Sequence, residues 1–160
     1  MIFSFDDEFG THKDLITEAA LFFIDTLIPK ENSENLYISF EIDPDIEYDG
    51  MCVNDDELDD ELGGFDHEEI DLNRCYTITF RRFNPKKMNE VIRILAHEMV
   101  HVKQYVMDEL TGVTYARWMG KDYIDEDNPY SYYDSPWEIE AYGREIGLIK
   151  RWNDYIEKKK

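Results

Sequence analysis

Two histidines four residues apart enclose a glutamate in the run His97-Glu98-Met99-Val100-His101. On an α-helix, residues i and i+4 stand one above the other on the same face, so both imidazoles can reach one metal ion. Glu98 is rotated about 100° from His97 around the axis, which sets its carboxylate beside such an ion rather than on it. The pattern suits Zn²⁺, which lowers the pKa of a coordinated water to about 7, with Glu98 as the base that takes the proton for attack on a carbonyl. Two of only four histidines in 160 residues fall in this run. The plainer reading is a pair of surface histidines in local ion pairs with Glu98 and Asp108.

A catalytic zinc site needs a third protein ligand and an open position. No histidine follows His101, so the ligand must be a carboxylate. Pro136-Trp137-Glu138-Ile139-Glu140-Ala141 opens a late helix and offers Glu138 and Glu140. Glu138 is favoured, because the small Ala141 three residues later would leave room for the metal helix. Ser135 to Glu138 also fits a capping box, a purely structural use of the same carboxylate.

These two segments resemble the gluzincin branch of the zincin metallopeptidases, which pair HExxH with a glutamate on a later helix. HEMVHVKQ with SPWEIEAYGRE is most similar to small metallopeptidase-like proteins encoded by tailed bacteriophages, over Tyr76 to Ile146. The resemblance implies that His97, His101 and Glu138 bind zinc and that Glu98 is the general base. It also implies an α+β, minimal zincin-like domain. In it a small, mostly antiparallel sheet packs on an N-terminal helix, the HExxH helix and a C-terminal glutamate helix, and an edge strand beside the cleft holds an extended peptide. One departure is that many gluzincins carry an Asp four residues after the ligand glutamate to orient a zinc histidine, where this chain has Tyr142. Tyr105, Tyr142 and Arg144 are candidates for the oxyanion partner. Gln104, one turn beyond His101, is either a neighbour of the site or a plain surface residue.

The elements that must position these residues are legible as patterns. His12 to Ile28 reads as an amphipathic helix, with Ile16, Ala19, Ala20 and Phe23 among its apolar positions, Thr11 as its cap and Pro29 as its stop. Asn35 to Ile42 alternates as a half-buried strand. Asp49-Gly50 suggests a hairpin turn into a strand at Met51 to Val53. Arg74 to Phe83 reads as a strand, and Asn84-Pro85 starts the metal helix, Lys86 to about Leu110. Its core stripe is Met88, Val91, Ile92, Leu95, Met99, Val102 and Val106. Val113 to Tyr123 resembles a hairpin turning at Gly120-Lys121. The last helix opens at Ser135-Pro136, with Ile139, Tyr142, Ile146 and Ile149 as its apolar positions and Gly143 and Gly147 one turn apart.

Composition bounds the rest. The length and the 42% of apolar residues fit one domain, 1–160. No apolar run is long enough to span a membrane, Met1 to Asp7 has no signal-peptide pattern, and Cys52 and Cys75 have no metal or redox spacing. A cytoplasmic protein with free thiols is expected, in the host cytoplasm if the chain is phage-encoded. There are 37 acids against 17 bases, a net charge of −20, and 15 of the acids lie in the loop-rich segment Glu41 to Asp71, which has no base. Such a surface disfavours direct binding to a nucleic-acid backbone or to an anionic membrane. If the acidic segment lies near the cleft, it favours a basic peptide or protein substrate. A different class of function is an acidic binding or inhibitor protein, a nucleic-acid mimic on an inactive zincin scaffold.

Overall fold

The computed structural model describes residues 1–55, 74–112, 116–123 and 131–159. Residues 56–71 of the acidic segment, with Gly63-Gly64 and His67-Glu68, lie outside these, as do 113–115 of the second expected hairpin and 124–130 of the aromatic loop. No helix among the described residues is long and apolar enough to cross a membrane.

The chain begins with strand β1 (Ile2–Phe5) and helix α1 (Lys13–Leu27), followed by β2 (Tyr37–Ile42). A 3-10 segment, Asp7–His12, leads into α1, and no side chain caps the helix, so Thr11 does not have the expected role. Pro29 does stop it, with Ile28 already extended. Strands β3 (Gly50–Asn54) and β4 (Cys75–Phe80) complete a four-stranded sheet in the order β1-β2-β4-β3. The β1–β2 and β2–β4 pairings are parallel and only β3–β4 is antiparallel. The expected mostly antiparallel character therefore fails in this sheet. The reason lies in the connections, since α1 carries the chain from β1 back to the start of a parallel neighbour.

The Asp49-Gly50 hairpin is also displaced. β3 does not fold back on β2, because β4 lies between them and pairs with all six residues of β2. Partners in register share a face, so Phe40, Ile78 and Cys52 look the same way, as do Ile42, Phe80 and Gly50. That face joins Phe9, Ile16, Phe23, Leu95 and Met99 in one core beneath the helices. Ser39, Glu41, Thr77 and Met51 sit on the other face, so the sheet is covered by helices on one side, an α+β arrangement.

Helix α2 (Met88–Val106) follows β4 through a 3-10 turn in which the Asn84 side chain accepts from the Lys86 amide at 3.0 Å and Pro85 takes the first position. Its core stripe is buried as expected, with Met88 partly so. The helix ends four residues before Leu110, where Asp108 turns left-handed at φ 55°. Three two-residue strands, β5 (Leu110–Thr111), β6 (Arg117–Trp118) and β7 (Lys121–Asp122), form a small antiparallel sheet. The β6–β7 turn is Met119-Gly120, both at positive φ, one residue earlier than expected.

A short helix α3 (Ser131–Asp134) precedes α4 (Pro136–Lys159). Three of the four expected apolar positions of α4 are turned to solvent, with Ile139 59% and Ile146 78% exposed and Tyr142 also exposed, while Ile149 is half-buried against the core. Its buried residues are Glu138, Ala141, Glu145, Leu148 and Trp152. Leu148 and Trp152 join the main core, where Trp152 meets Phe22 edge-on at 5.5 Å. The two glutamates face something other than oil.

Candidate metal centre

The glutamates face the polar stripe of α2. His97, Glu98 and His101 are each less than a tenth exposed, which excludes the surface-histidine reading. Glu138 comes between the two imidazoles, with its Oε2 3.2 Å from His97 Nε2 and its Oε1 3.3 Å from His101 Nε2. The two Nε2 atoms are themselves 3.3 Å apart. His97, His101 and Glu138 thus form one buried group whose ligand atoms all lie within 4.8 Å of one another. Glu140, the other carboxylate offered by the sequence, turns away to Lys103 at 2.9 Å and Arg144 at 2.7 Å. The capping-box use of Glu138 is not realised either, since its carboxylate is committed to the histidines and the Ser135 hydroxyl donates to the Tyr132 carbonyl at 2.6 Å.

The outer ring nitrogens decide which atoms face inward. Gln104, fully buried, donates through Nε2 to the Trp137 carbonyl and the Glu140 carboxylate, both at 3.0 Å. Both are acceptors, so its amide oxygen must be the atom 2.8 Å from His101 Nδ1, and that nitrogen carries a proton. On His97, Nδ1 faces Glu145 Oε2 at 3.5 Å, and Glu145 is held through its other oxygen by Arg93 at 3.1 Å. With its outer nitrogen protonated, the neutral form of each imidazole turns an Nε2 lone pair to the same point as the Glu138 carboxylate. In that form three acceptors share the point with no hydrogen among them, and Glu138 Oε2 is buried with no hydrogen-bond partner among the described residues. A cation at that point resolves the conflict, and two imidazoles with one carboxylate are a donor set that fits zinc.

The charges respond accordingly. Burial pushes the Glu138 carboxyl up, but without a metal the histidines in their protonated form donate to it, outweigh burial and hold it at about 2. Burial raises Glu98, and the nearby Glu138 and Glu145 charges add to this while the histidines oppose it. His101 is raised although burial opposes its charge, because Glu138 and Glu98 surround it. Tyr132 is raised by burial and by its hydrogen bond to Glu138.

The cleft has two cavities. One, of about 280 Å³, is lined by His97, Glu98, Tyr132, Tyr142 and Arg93. The other, of about 180 Å³, is lined by Glu98, His101, Tyr105, Tyr132 and Trp137. Tyr132 belongs to both and stacks on Tyr48 at 4.5 Å. Of the expected oxyanion candidates, Tyr142 rests edge-on against His97 at 4.5 Å, Tyr105 lines the second cavity, and Arg144 is engaged with Glu140. Strand β3 passes so close to α2 that a Cβ on Gly50 would stand 2.5 Å from Ile94 Cγ2 and 2.6 Å from Glu98 Oε1. Gly50 is thus needed for close approach to Ile94 and Glu98 rather than for a hairpin turn.

Sequence reasoning missed Glu145, Arg93 and the use of Gly50. A signal for Glu145 exists, because positions 138, 141, 145, 148 and 152 recur at helical spacing and include two acids. No protein-family model, curated protein or solved structure matches this chain.

Proposed function

We propose that this chain is a zinc-dependent metallopeptidase of the HExxH type, hydrolysing peptide bonds with Glu98 as general base. The observation that carries the reading is the convergence of two Nε2 lone pairs and the Glu138 carboxylate on one buried point, with the Glu98 carboxylate beside it. His97, His101 and Glu138 are the residues that hold the metal. When bound, zinc supplies Lewis acidity, acidifying a water and polarising the scissile carbonyl.

The chain's own residues do the rest. Glu98, raised above the usual carboxylate range by burial, accepts the proton of the attacking water and returns it to the leaving amine. Gly50 leaves space for that carboxylate. The Tyr132 hydroxyl, beside Glu138 and between the two cavities, is placed to donate to the developing oxyanion. Glu145 and Gln104 keep both imidazoles in the ligating tautomer, so Glu145 supplies the carboxylate that Tyr142 lacks. Strand β3 is at the edge of the sheet and lines the cleft through Gly50, where an extended peptide can lie against it.

The test is metal analysis together with proteolysis. Protein purified without chelator should carry about one zinc per chain. Glu98→Gln should keep the metal and lose turnover by about 10²–10⁴-fold. Gly50→Ala should also keep the metal while lowering kcat, because the added methyl displaces the base. Metal-free protein after zinc reconstitution, or Glu98→Gln as active as wild type, would overturn the proposal.

A further inference from the structure

Next to the cleft is a third cavity, of about 320 Å³, with an unexpected charge. Among the described residues, Arg81, Arg82, Lys87 and Arg93 line it against two acids, Asp49 and Glu90. In a chain with 37 acids and 17 bases, four of the bases gather here. Lys87 pairs with Glu90 at 3.1 Å and Arg93 with Glu145 at 3.1 Å. Arg81 donates from one terminal nitrogen to the Glu47 carbonyl at 3.2 Å, and its Nε is buried with no partner among the described residues. Among those residues neither Arg81 nor Arg82 has a carboxylate partner. Asn84 also lines the cavity, so the positive end of α2 opens there.

The cavity adjoins the cleft, because Asp49, Arg93 and Ile94 line both. Arg93 and Lys87 lie four and ten residues before His97. At 1.5 Å per helical residue the cavity spans roughly 6–15 Å from that histidine along the axis. At about 3.3 Å per extended residue, this corresponds to roughly two to four residues of a bound peptide.

We infer that Arg81 and Arg82 form a carboxylate-binding subsite, so that the peptide substrate bears a carboxylate a few residues from the scissile bond. The inference rests on the peptidase reading of the neighbouring site. The guanidinium fork matches a carboxylate in a bidentate manner. Four bases against two acids leave a modest positive excess, suited to one monoanion rather than to a dianionic phosphate. The local charge of the cavity, rather than the net charge of the chain, decides which residue it takes, since charges beyond about 8 Å are largely screened at physiological salt and those lining a cavity much less.

Three fluorescein-labelled peptides of one core sequence test it: one with Glu three residues from the central bond and an amidated C-terminus, one with Gln there and amidated, and one with Gln and a free C-terminal carboxylate. Each is titrated by anisotropy against zinc-loaded Glu98→Gln and incubated with zinc-loaded wild type for cleavage by mass spectrometry. At least one carboxylate peptide should bind tenfold or more tighter than the all-amide peptide, and which one does so identifies a side chain or a terminus as the ligand. Adding Arg81→Gln and Arg82→Gln should make the three equal with zinc content unchanged. Arg82→Gln alone, at an exposed residue, provides the same comparison if the double variant folds poorly. Equal binding of all three peptides, or a preference that survives the arginine replacements, overturns the subsite. Carboxylate-dependent binding without any cleavage keeps the subsite and overturns the peptidase, and cleavage without carboxylate preference does the opposite.

Discussion

Helices α1 and α4 both pack against α2, yet their buried faces are made of opposite materials. α1 buries Ile16, Ala19, Ala20, Phe23 and Ile24, as its pattern predicts. The first half of α4 buries Glu138 and Glu145 and leaves Ile139 and Ile146 in solvent. Only its second half, through Leu148 and Trp152, returns to the oil. The difference follows what each helix meets. α1 faces the apolar stripe of α2 and the sheet, whereas the start of α4 faces His97 and His101, whose ring nitrogens need polar or metal partners. Burying isoleucine against those imidazoles would strand two polar groups without partners, an expensive arrangement. A face that serves a site thus gives up hydrophobic burial to satisfy polar neighbours.

The comparison is broken most strongly at Glu138. Glu138→Gln should reduce bound zinc from about one to below about a tenth of an equivalent by elemental analysis. With chelator present it should also cost about 1–3 kcal/mol of unfolding free energy, because the buried imidazoles lose the carboxylate that pairs with them in the metal-free protein. Phe23→Ala on α1 should do the reverse, costing about 3–5 kcal/mol in denaturant titrations while folded protein keeps its zinc. Glu145→Gln and Gln104→Ala lie between, each weakening zinc about 10–100-fold in competition with a chromogenic chelator. The smallest effect is expected at Ile146→Ser, within about 0.5 kcal/mol, since that side chain is 78% exposed. A loss of several kcal/mol there would mean that the two faces of α4 had been assigned the wrong way round.

The same contrast explains which features were legible. Helix α1, the core stripe of α2 and the burial pattern of β2 follow from local periodicity, because each faces the apolar interior. Three of the four apolar positions of α4 were misplaced for the reason just given, since its buried stripe includes acids that a hydrophobic pattern counts as surface. Gly50 misled in another way. Asp-Gly is a strong local turn signal, but here the glycine lets a strand cross within contact of Glu98, a requirement set by α2 more than forty residues away in sequence. The parallel β2–β4 pairing was hidden for the same reason, as register and neighbour depend on segments far apart in the chain.

Sequence alone determined the chemistry on offer: HExxH places two imidazoles on one helical face, and spacing within a helix is a local property. It reduced the third ligand to Glu138 or Glu140, two residues whose separation turns them to opposite sides of α4. Only the tertiary structure decided between them, sending Glu138 to the histidines and Glu140 to Lys103 and Arg144. It also supplied the partners that orient His97 and His101, and gathered three bases from the connection after β4 and one from α2 beside an acidic protein's cleft. Those outcomes depend on how α2, α4 and the sheet pack together, and no periodicity within a single element encodes the angle at which two elements meet.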